Sequence, residues 1–206
     1  MSVTPKHKVL PDWHYEHQAN APVCGVDEAG RGPLAGPVIA AAVILDPAHI
    51  PEGLADSKSI SQSRREYLLN DILLTSHVGI GISEPEEIDR LNILWASLTA
   101  MERAVRALPI LPQTALIDGN KIPDHLPCPG RAIIKGDAKS LSIAAASIVA
   151  KVTRDRIMTQ ADKRFPGYGF SGHKGYPTRA HKDAITHLGP CPLHRRSFAP
   201  MKYELF

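Results

Sequence analysis

Two apolar segments near the start of the chain, Val23–Glu28 and Pro37–Leu45, are separated by only eight residues. Both are strand-sized, and the second is rich in Val, Ile and Ala, as strands are. A connection that short cannot carry a parallel crossover, which takes a dozen residues or more, so the two must run antiparallel. Downstream, strand-like and helix-like patterns alternate. Arg64–Leu74 has helical spacing through Tyr67, Leu68 and Ile72, and His77–Ser83 alternates through Val78, Ile80 and Ile82, which predicts a third strand. Pro85 can open a helix, and Leu91–Leu108 places Leu94, Leu98, Met101 and Val105 on one stripe before Pro109 and Pro112. Thr114–Ile117 reads as a fourth strand stopped by Asp118-Gly119-Asn120, and Arg131–Lys135 as a fifth. Ser140–Phe165 is the longest helical pattern, and Thr178–Leu188 is a last helix, with Thr178 as N-cap and Gly189-Pro190 as its stop. The order β-β-α-β-α-β-β-α-α predicts an α/β fold with a mixed sheet.

With 206 residues, 43 % hydrophobic and 22 % charged, the composition excludes disordered and collagen-like classes and suits one domain. Residues 1–20 read as a polar leader, and 21–206 as a single domain whose part beyond about 165 is a helical extension. No apolar run reaches the roughly 18 residues of a membrane span, and the leader has no apolar signal-peptide core. The three cysteines, Cys24, Cys128 and Cys191, form no C-x-x-C pair; neither a disulfide framework nor a zinc ribbon is expected, and a cytoplasmic location is. Charge is unevenly placed. Residues 1–118 hold 9 Lys and Arg against 15 Asp and Glu, a net −6, whereas residues 119–206 hold 15 against 6, a net +9. A basic half beside an acidic half suits a protein that binds a polyanion on one side and metal on the other; an uneven solvated surface would look the same.

The segment Gly30-Arg31-Gly32-Pro33-Leu34-Ala35 matches G-x-G-x-x-A, but it leads into Gly36, Pro37 and a strand. The dinucleotide fingerprint must open a helix, so that reading fails. The informative residues precede it. Asp27-Glu28 ends an apolar strand, Asp118 ends another, and Asp137 follows a third just before the long helix. Successive strand residues point to opposite faces, so one of Asp27 and Glu28 must lie past the regular strand end if both serve one site. Four clustered carboxylates repel each other, and a divalent cation relieves that; oxygen ligands favour Mg²⁺ or Mn²⁺. Two such ions are a standard device for cleaving phosphodiesters. Any one of these acids alone would read as a cap or a surface charge.

Val26-Asp27-Glu28-Ala29-Gly30-Arg31-Gly32-Pro33-Leu34-Ala35-Gly36-Pro37 resembles the signature of ribonuclease HII, the type 2 ribonuclease H. Asp56-Ser57-Lys58, Ile117-Asp118-Gly119-Asn120, Lys135-Gly136-Asp137, the run Ile143–Asp155, His173-Lys174-Gly175-Tyr176-Pro177-Thr178 and His194-Arg195-Arg196-Ser197-Phe198 extend the likeness from about Val23 to Phe198. It implies an RNase H-like fold, a mixed five-stranded sheet flanked by helices with additional C-terminal helices. It implies metal-dependent endonucleolytic cleavage of RNA in RNA–DNA hybrids, and of single ribonucleotides embedded in duplex DNA, with two divalent ions in the active complex. Asp27, Glu28, Asp118 and Asp137 match the metal-binding carboxylates. Gly30-Arg31-Gly32 matches the backbone that reads the ribose 2′-hydroxyl, and Tyr176 the ring that packs on the neighbouring deoxyribose. A glycine pair lets main chain approach a sugar closely, and the 2′-hydroxyl is what distinguishes RNA from DNA.

Among the basic residues, Arg31, Lys58, Lys139, Lys174, Arg195 and Arg196 are candidates for phosphate contact, Arg31 and Lys58 foremost. Ser147 and Lys151 share a helix face but are accounted for by packing and surface charge. His173, His181 and His194 read as phosphate contacts or plain surface. Asp155 is the rival to Asp137; a helix rise of 1.5 Å per residue places it roughly 20 Å or more from the helix start, so it reads as an ion-pair partner of Arg154 or Arg156. Alternatives are another RNase H-like nuclease, such as a type 1 enzyme or a junction resolvase, and a non-catalytic hybrid-binding protein. The glycine–arginine–glycine turn argues against the first, and intact carboxylates against the second. The expected partners are nucleic acids, with no membrane and no obligate protein partner, and the chain is expected to be a monomer.

Overall fold

The computed structural model describes residues 10–199 and Met201. Five strands, β1 (Val23–Ala29), β2 (Val38–Leu45), β3 (Ser76–Ser83), β4 (Thr114–Asp118) and β5 (Gly130–Ile133), form one sheet in the order β3-β2-β1-β4-β5. β2 pairs antiparallel with β1 and β3, while β4 runs parallel to β1 and β5. The sheet is therefore mixed, as the short β1–β2 connection requires.

Every residue of β2 is buried, because helices cover both faces. Ile39, Ala41, Val43 and Leu45 pack with Leu68, Leu69 and Ile72 of α2 (Gln62–Thr75) and with the alanine run of α5 (Leu141–Arg164). Val38, Ala40, Ala42 and Ile44 face Ala96, Ala100, Met101 and Ala104 of α4 (Ile93–Arg106). The period-2 alternation of a strand is what divides them. α5 lies directly on β1: a Cβ on Gly25 would collide with the backbone of Ser142 and Ile143. That contact sets the distance from the sheet to the helix that follows Asp137.

Several boundaries move. The expected helix at Leu91–Leu108 is α4, and the single helical element expected between β3 and β4 is two, because Pro85 opens a separate α3 (Pro85–Leu91) that ends at Asn92. Asn92 has φ +66°, and its side chain accepts from the N–H groups of Leu94 (2.9 Å) and Trp95 (3.3 Å), capping α4. Asparagine tolerates the left-handed region better than most residues. The fifth strand ends at Ile133 and not at Lys135; Lys135 takes φ +56° and turns the chain into a 3₁₀ turn at Gly136–Ala138. Asp137 therefore sits on that turn, between β5 and α5.

From Asp12 onward, the segment expected as a leader is tied to the domain. Asp12 exchanges main-chain hydrogen bonds with Lys139 and Leu141. Glu16, buried in the short helix α1 (His14–His17), accepts from Ser140 Oγ at 2.6 Å and from the Ser142 N–H at 2.9 Å. It thus satisfies donors at the α5 N-terminus. Expectations for residues 1–9, 200 and 202–206 lie outside the described residues. At the other end, α6 (Phe170–His173) and α7 (Arg179–Leu188) follow α5. Among the described residues no helix is long and apolar enough to cross a membrane.

Candidate active site

The β1–β4 ladder ends at the pair Val26–Ile117. The next residues on the two parallel strands are Asp27 and Asp118, so register alone sets these acids side by side. Glu28 follows within β1, still paired with Ala40 of β2. Both acids lie within β1, so the expectation that one of them falls past the regular strand end is corrected: β1 stays paired with β2 there and is unpaired only on its β4 side. One carboxylate oxygen from each of Asp27, Glu28 and Asp118 lies within 4.8 Å of the others. Asp118 Oδ1 also accepts from the Gly136 N–H at 2.6 Å, pinning the turn that carries Asp137. Asp137 stands outside the compact group of three.

Burial, then Glu28, Asp118 and Asp137, push the Asp27 carboxyl well above its ordinary value. Its Oδ1 accepts only the Glu28 N–H, at 2.7 Å. Glu28 is likewise raised, first by burial, with Arg31 opposing at 3.3 Å. Asp137 is raised by burial, then by Asp118 and Asp56, with Lys58 opposing. A buried carboxyl crowded by others and lacking a cation is a donor set suited to a hard divalent ion.

Asp27, Glu28, Gly30, Arg31, Gly32, Lys58 and Tyr176 line one cavity of about 350 Å³. Asp118 opens into an adjoining cleft that shares Glu28 and Arg31. Ser57, Ser147 and Lys151 also line the cavity. Ser147 Oγ donates to Ser57 Oγ at 2.7 Å, fastening the Asp56-Ser57-Lys58 turn to α5, while Asp56 accepts from the Lys58 N–H at 2.9 Å. Ser147 and Lys151, on one helix face at i, i+4, thus stand at the cavity wall, with Lys151 paired to Asp155 at 2.7 Å.

The glycine turn is held from behind by two buried arginines with no carboxylate partner among the described residues. Arg195 donates to the carbonyls of Gly30 (2.6 Å), Arg31 (3.0 Å), Pro33 (2.8 Å) and Gly36 (2.8 and 3.0 Å). Arg154 donates to those of Pro37, Ala35 and Lys174, each at 3.0 Å. Burial drives both guanidinium pKa values down, to about 9 for Arg195 and about 10 for Arg154. With these carbonyls turned inward, the N–H groups of Gly30, Arg31 and Gly32 have no partner among the described residues. Gly30 at φ +102° makes the bend, and Tyr176 Cε1 lies 3.7 Å from where a Gly32 Cβ would sit.

Four expectations are corrected. Arg195 is a scaffold residue, since all its donors are spent on carbonyls. Lys174 Nζ is tied to Thr159 Oγ1 (2.8 Å) and the Ser171 carbonyl (2.6 Å). His181 and His194 are buried, 0 % and 2 % exposed, and cannot reach phosphate. Asp155 pairs with Lys151 at 2.7 Å, because i and i+4 meet on a helix, whereas Arg154 points into the glycine turn and Arg156 pairs with Glu66.

A family model described as Ribonuclease HII matches residues 24–201. A ribonuclease HII of Maricaulis maris is 61 % identical over 183 residues, covering 89 % of this chain and 84 % of that protein. The crystal structure of ribonuclease H2 from Pyrococcus horikoshii superposes with a TM-score of 0.73 at 27 % identity, over 88 % of this chain and 95 % of that one. A Bst-RNase HIII crystallised in complex with Mn²⁺ has the same fold, with a TM-score of 0.71 at 21 % identity, over 90 % and 70 % of the two chains.

Proposed function

The chain belongs to the ribonuclease HII family and is a ribonuclease H acting on RNA–DNA hybrids; from that premise we propose that it also cuts duplex DNA on the 5′ side of a single embedded ribonucleotide, leaving 3′-hydroxyl and 5′-phosphate ends. The observation that carries this reading is the shared cavity of Asp27, Glu28, the Gly30-Arg31-Gly32 turn and Tyr176. It places acids for the chemistry within reach of main chain that can read a sugar.

In this reading Asp27, Glu28 and Asp118, with Asp137 from the neighbouring turn, hold two divalent ions, Mg²⁺ or Mn²⁺. When bound, such ions supply an activated water and stabilise the departing oxygen. The three converging carboxylates fit that role, as does the raised Asp27 carboxyl, which lacks a cation of its own. The free amides of the glycine turn donate to the 2′-hydroxyl oxygen; the missing Cβ at Gly32 leaves room beside Tyr176 for the sugar, while at Gly30 it leaves room for the Arg154 side chain behind the turn. Tyr176 presents its ring to the next deoxyribose. Lys58 and Arg31, exposed at the cavity mouth, meet phosphates. The 2′-hydroxyl is recognised but is not the nucleophile, so no 2′,3′-cyclic phosphate forms. The protein acts as a cytoplasmic monomer on these nucleic acids, without an obligate protein partner.

Duplexes carrying no, one or several ribonucleotides, incubated with Mg²⁺, Mn²⁺ or EDTA, test this. Cuts 5′ to the lone ribonucleotide that vanish with EDTA are expected; a cyclic-phosphate product, or cleavage persisting without metal, refutes it.

A further inference from the structure

Behind the loop that carries Tyr176 lie three histidine rings whose six ring nitrogens are all engaged. The direction of every bond can be derived from one end. His194 Nδ1 lies 2.9 Å from the Cys191 nitrogen and 3.3 Å from the Cys191 carbonyl; an amide N–H can only donate, so the shorter contact requires a lone pair on Nδ1 and excludes a hydrogen there for the longer one. Neutral His194 then carries its hydrogen on Nε2, and that atom lies 3.1 Å from His181 Nε2. His181 Nε2 is therefore the acceptor, and its hydrogen sits on Nδ1, 2.9 Å from the Tyr176 carbonyl. Beside this chain, His173 Nδ1 accepts from the Gly175 N–H at 3.1 Å, which leaves its Nε2–H to donate to the Tyr168 carbonyl at 2.8 Å. The His173 and His181 rings stack, centroids 4.3 Å apart. With no lone pair left over, the group is not a metal site.

We propose that His181 and His194 are positioning residues for Tyr176, a directional hydrogen-bond chain from the Cys191 N–H through two imidazoles to the Tyr176 carbonyl that sets the height of the tyrosine ring over the cavity. Among the described residues nothing else buried holds that carbonyl. Its other partner is the Thr178 N–H at 2.8 Å, two residues along the same exposed loop. The backbone before Tyr176 is in the left-handed region at Lys174 (φ +53°) and Gly175 (φ +84°); glycine adopts it freely, but at Lys174 it persists only where surroundings enforce it. His181 is wholly buried against Phe170, whose ring meets it edge-on at 5.5 Å, so the donor cannot swing away. Burial, followed by the neighbouring His181, holds His194 neutral down to about pH 4, and burial also lowers His181. The chain therefore keeps its direction at neutral pH. A proton added to His181 would remove the lone pair that accepts from His194.

The inference rests on the reading of Tyr176 as the residue that recognises the ribonucleotide–deoxyribonucleotide junction, and the test separates the two. Asparagine at 181 places an amide N–H near the position of Nδ1, whereas leucine has similar bulk and no donor. His181→Leu is expected to lower cleavage at a single ribonucleotide about tenfold, with continuous hybrid changed less than about twofold. His181→Asn should restore most of that loss. Hydrogen exchange at the amides of Tyr176 and Thr178 should quicken in His181→Leu and not in His181→Asn. Equal losses on both substrates, or unchanged exchange, overturn the proposal. Tyr176→Ala is measured alongside. If that variant keeps its junction preference, the reading of Tyr176 has failed, and the exchange rates alone decide the tether. Should His181→Leu not fold, His194→Leu, with His194→Gln as its rescue, carries the same comparison one ring further away.

Discussion

Asp27→Asn should make the metal-free protein more stable while abolishing its activity. The substitution keeps the shape, and Asn Oδ1 can still accept the Glu28 N–H that Asp27 Oδ1 accepts at 2.7 Å. It removes one charge from three carboxylates whose oxygens lie within 4.8 Å of each other. At that separation each ionised pair repels by about 3.5 kcal/mol with an effective dielectric constant of 20, so Asp27 stays protonated instead. Its folded pKa thus lies well above the ordinary 3.8. The folded state then binds a proton that the unfolded chain has released. Stability is full below pH 3.8 and falls as pH rises, by about 1.4 kcal/mol per unit, until Asp27 ionises in the fold. The asparagine variant escapes that loss. In EDTA the two proteins should melt together near pH 4, and the variant's advantage should widen as pH rises above that, each 1 kcal/mol raising its Tm by about 2–4 °C. Added Mg²⁺ should raise the Tm of the parent, by binding only the folded form, and raise that of the variant much less. Cleavage by the variant should fall more than about a hundredfold. The assay is a set of melting curves between pH 4 and 8 with EDTA or Mg²⁺, alongside hybrid cleavage. A Tm difference that does not grow with pH refutes the crowded-carboxylate argument, and near-normal turnover at saturating Mg²⁺ refutes the assignment of Asp27.

Tyr176→Ala should lose far more activity at a single embedded ribonucleotide than on a continuous hybrid, and Tyr176→Phe should lose less because the ring face remains; relative rates on the two substrates decide. Hybrid binding in EDTA should weaken with a linear fall of log K against log salt, the net +9 of residues 119–206 supplying the phosphate contacts; a flat titration contradicts this. Arg195→Met should cost at least about 3 kcal/mol in urea unfolding, since four carbonyls lose a charged donor; a loss below 1 kcal/mol, on the order of one neutral hydrogen bond, is the contrary result. His194 is held neutral in the fold to about pH 4, against an ordinary value of 6.5. Its contribution is therefore present above pH 6.5 and lost as pH falls toward 4. The stability of the parent should drop across that window relative to His194→Gln, as melting curves of the two would show.

The fold was legible wherever period and punctuation agreed. β2 read as a strand from its β-branched run, and the eight-residue gap before it dictated the antiparallel turn. What failed to show was backbone that leaves the common regions at ordinary residues. No glycine or proline separates the helix opened by Pro85 from the stripe that begins at Leu94, so one helical element was expected where the left-handed φ of Asn92 makes two. Ile134 continued the apolar pattern of β5, yet β5 pairs on one side only, and Lys135 turns away from the ladder. Asp137 moved with that turn, from a strand end to the 3₁₀ segment hydrogen-bonded to Asp118 through Gly136.

The candidate site divides along the same physical line. Asp27, Glu28 and Asp118 stood out because acids at the ends of apolar strands violate the usual separation of charge from core. Their convergence then needed only strand register. Arg154, Arg195, His181 and His194 left no such trace. Their partners are main-chain carbonyls, amides and one another's rings, and a carbonyl is present at every residue, so no pairing of side-chain types announces the contact. A buried arginine read from sequence looks like a surface cation, and here that led Arg195 to be counted among phosphate contacts. The consequence for this enzyme is specific. The groups that would carry the chemistry are side chains on strands, fixed by the sheet. The groups that would read the sugar are the amides of Gly30-Arg31-Gly32 and the ring of Tyr176, fixed by arginines and histidines from α5, α7 and the turn at 191–195. Substitutions in the C-terminal helices should therefore alter which nucleic acid is cut before they alter the cutting itself, and substitutions at the ends of β1 and β4 should do the reverse.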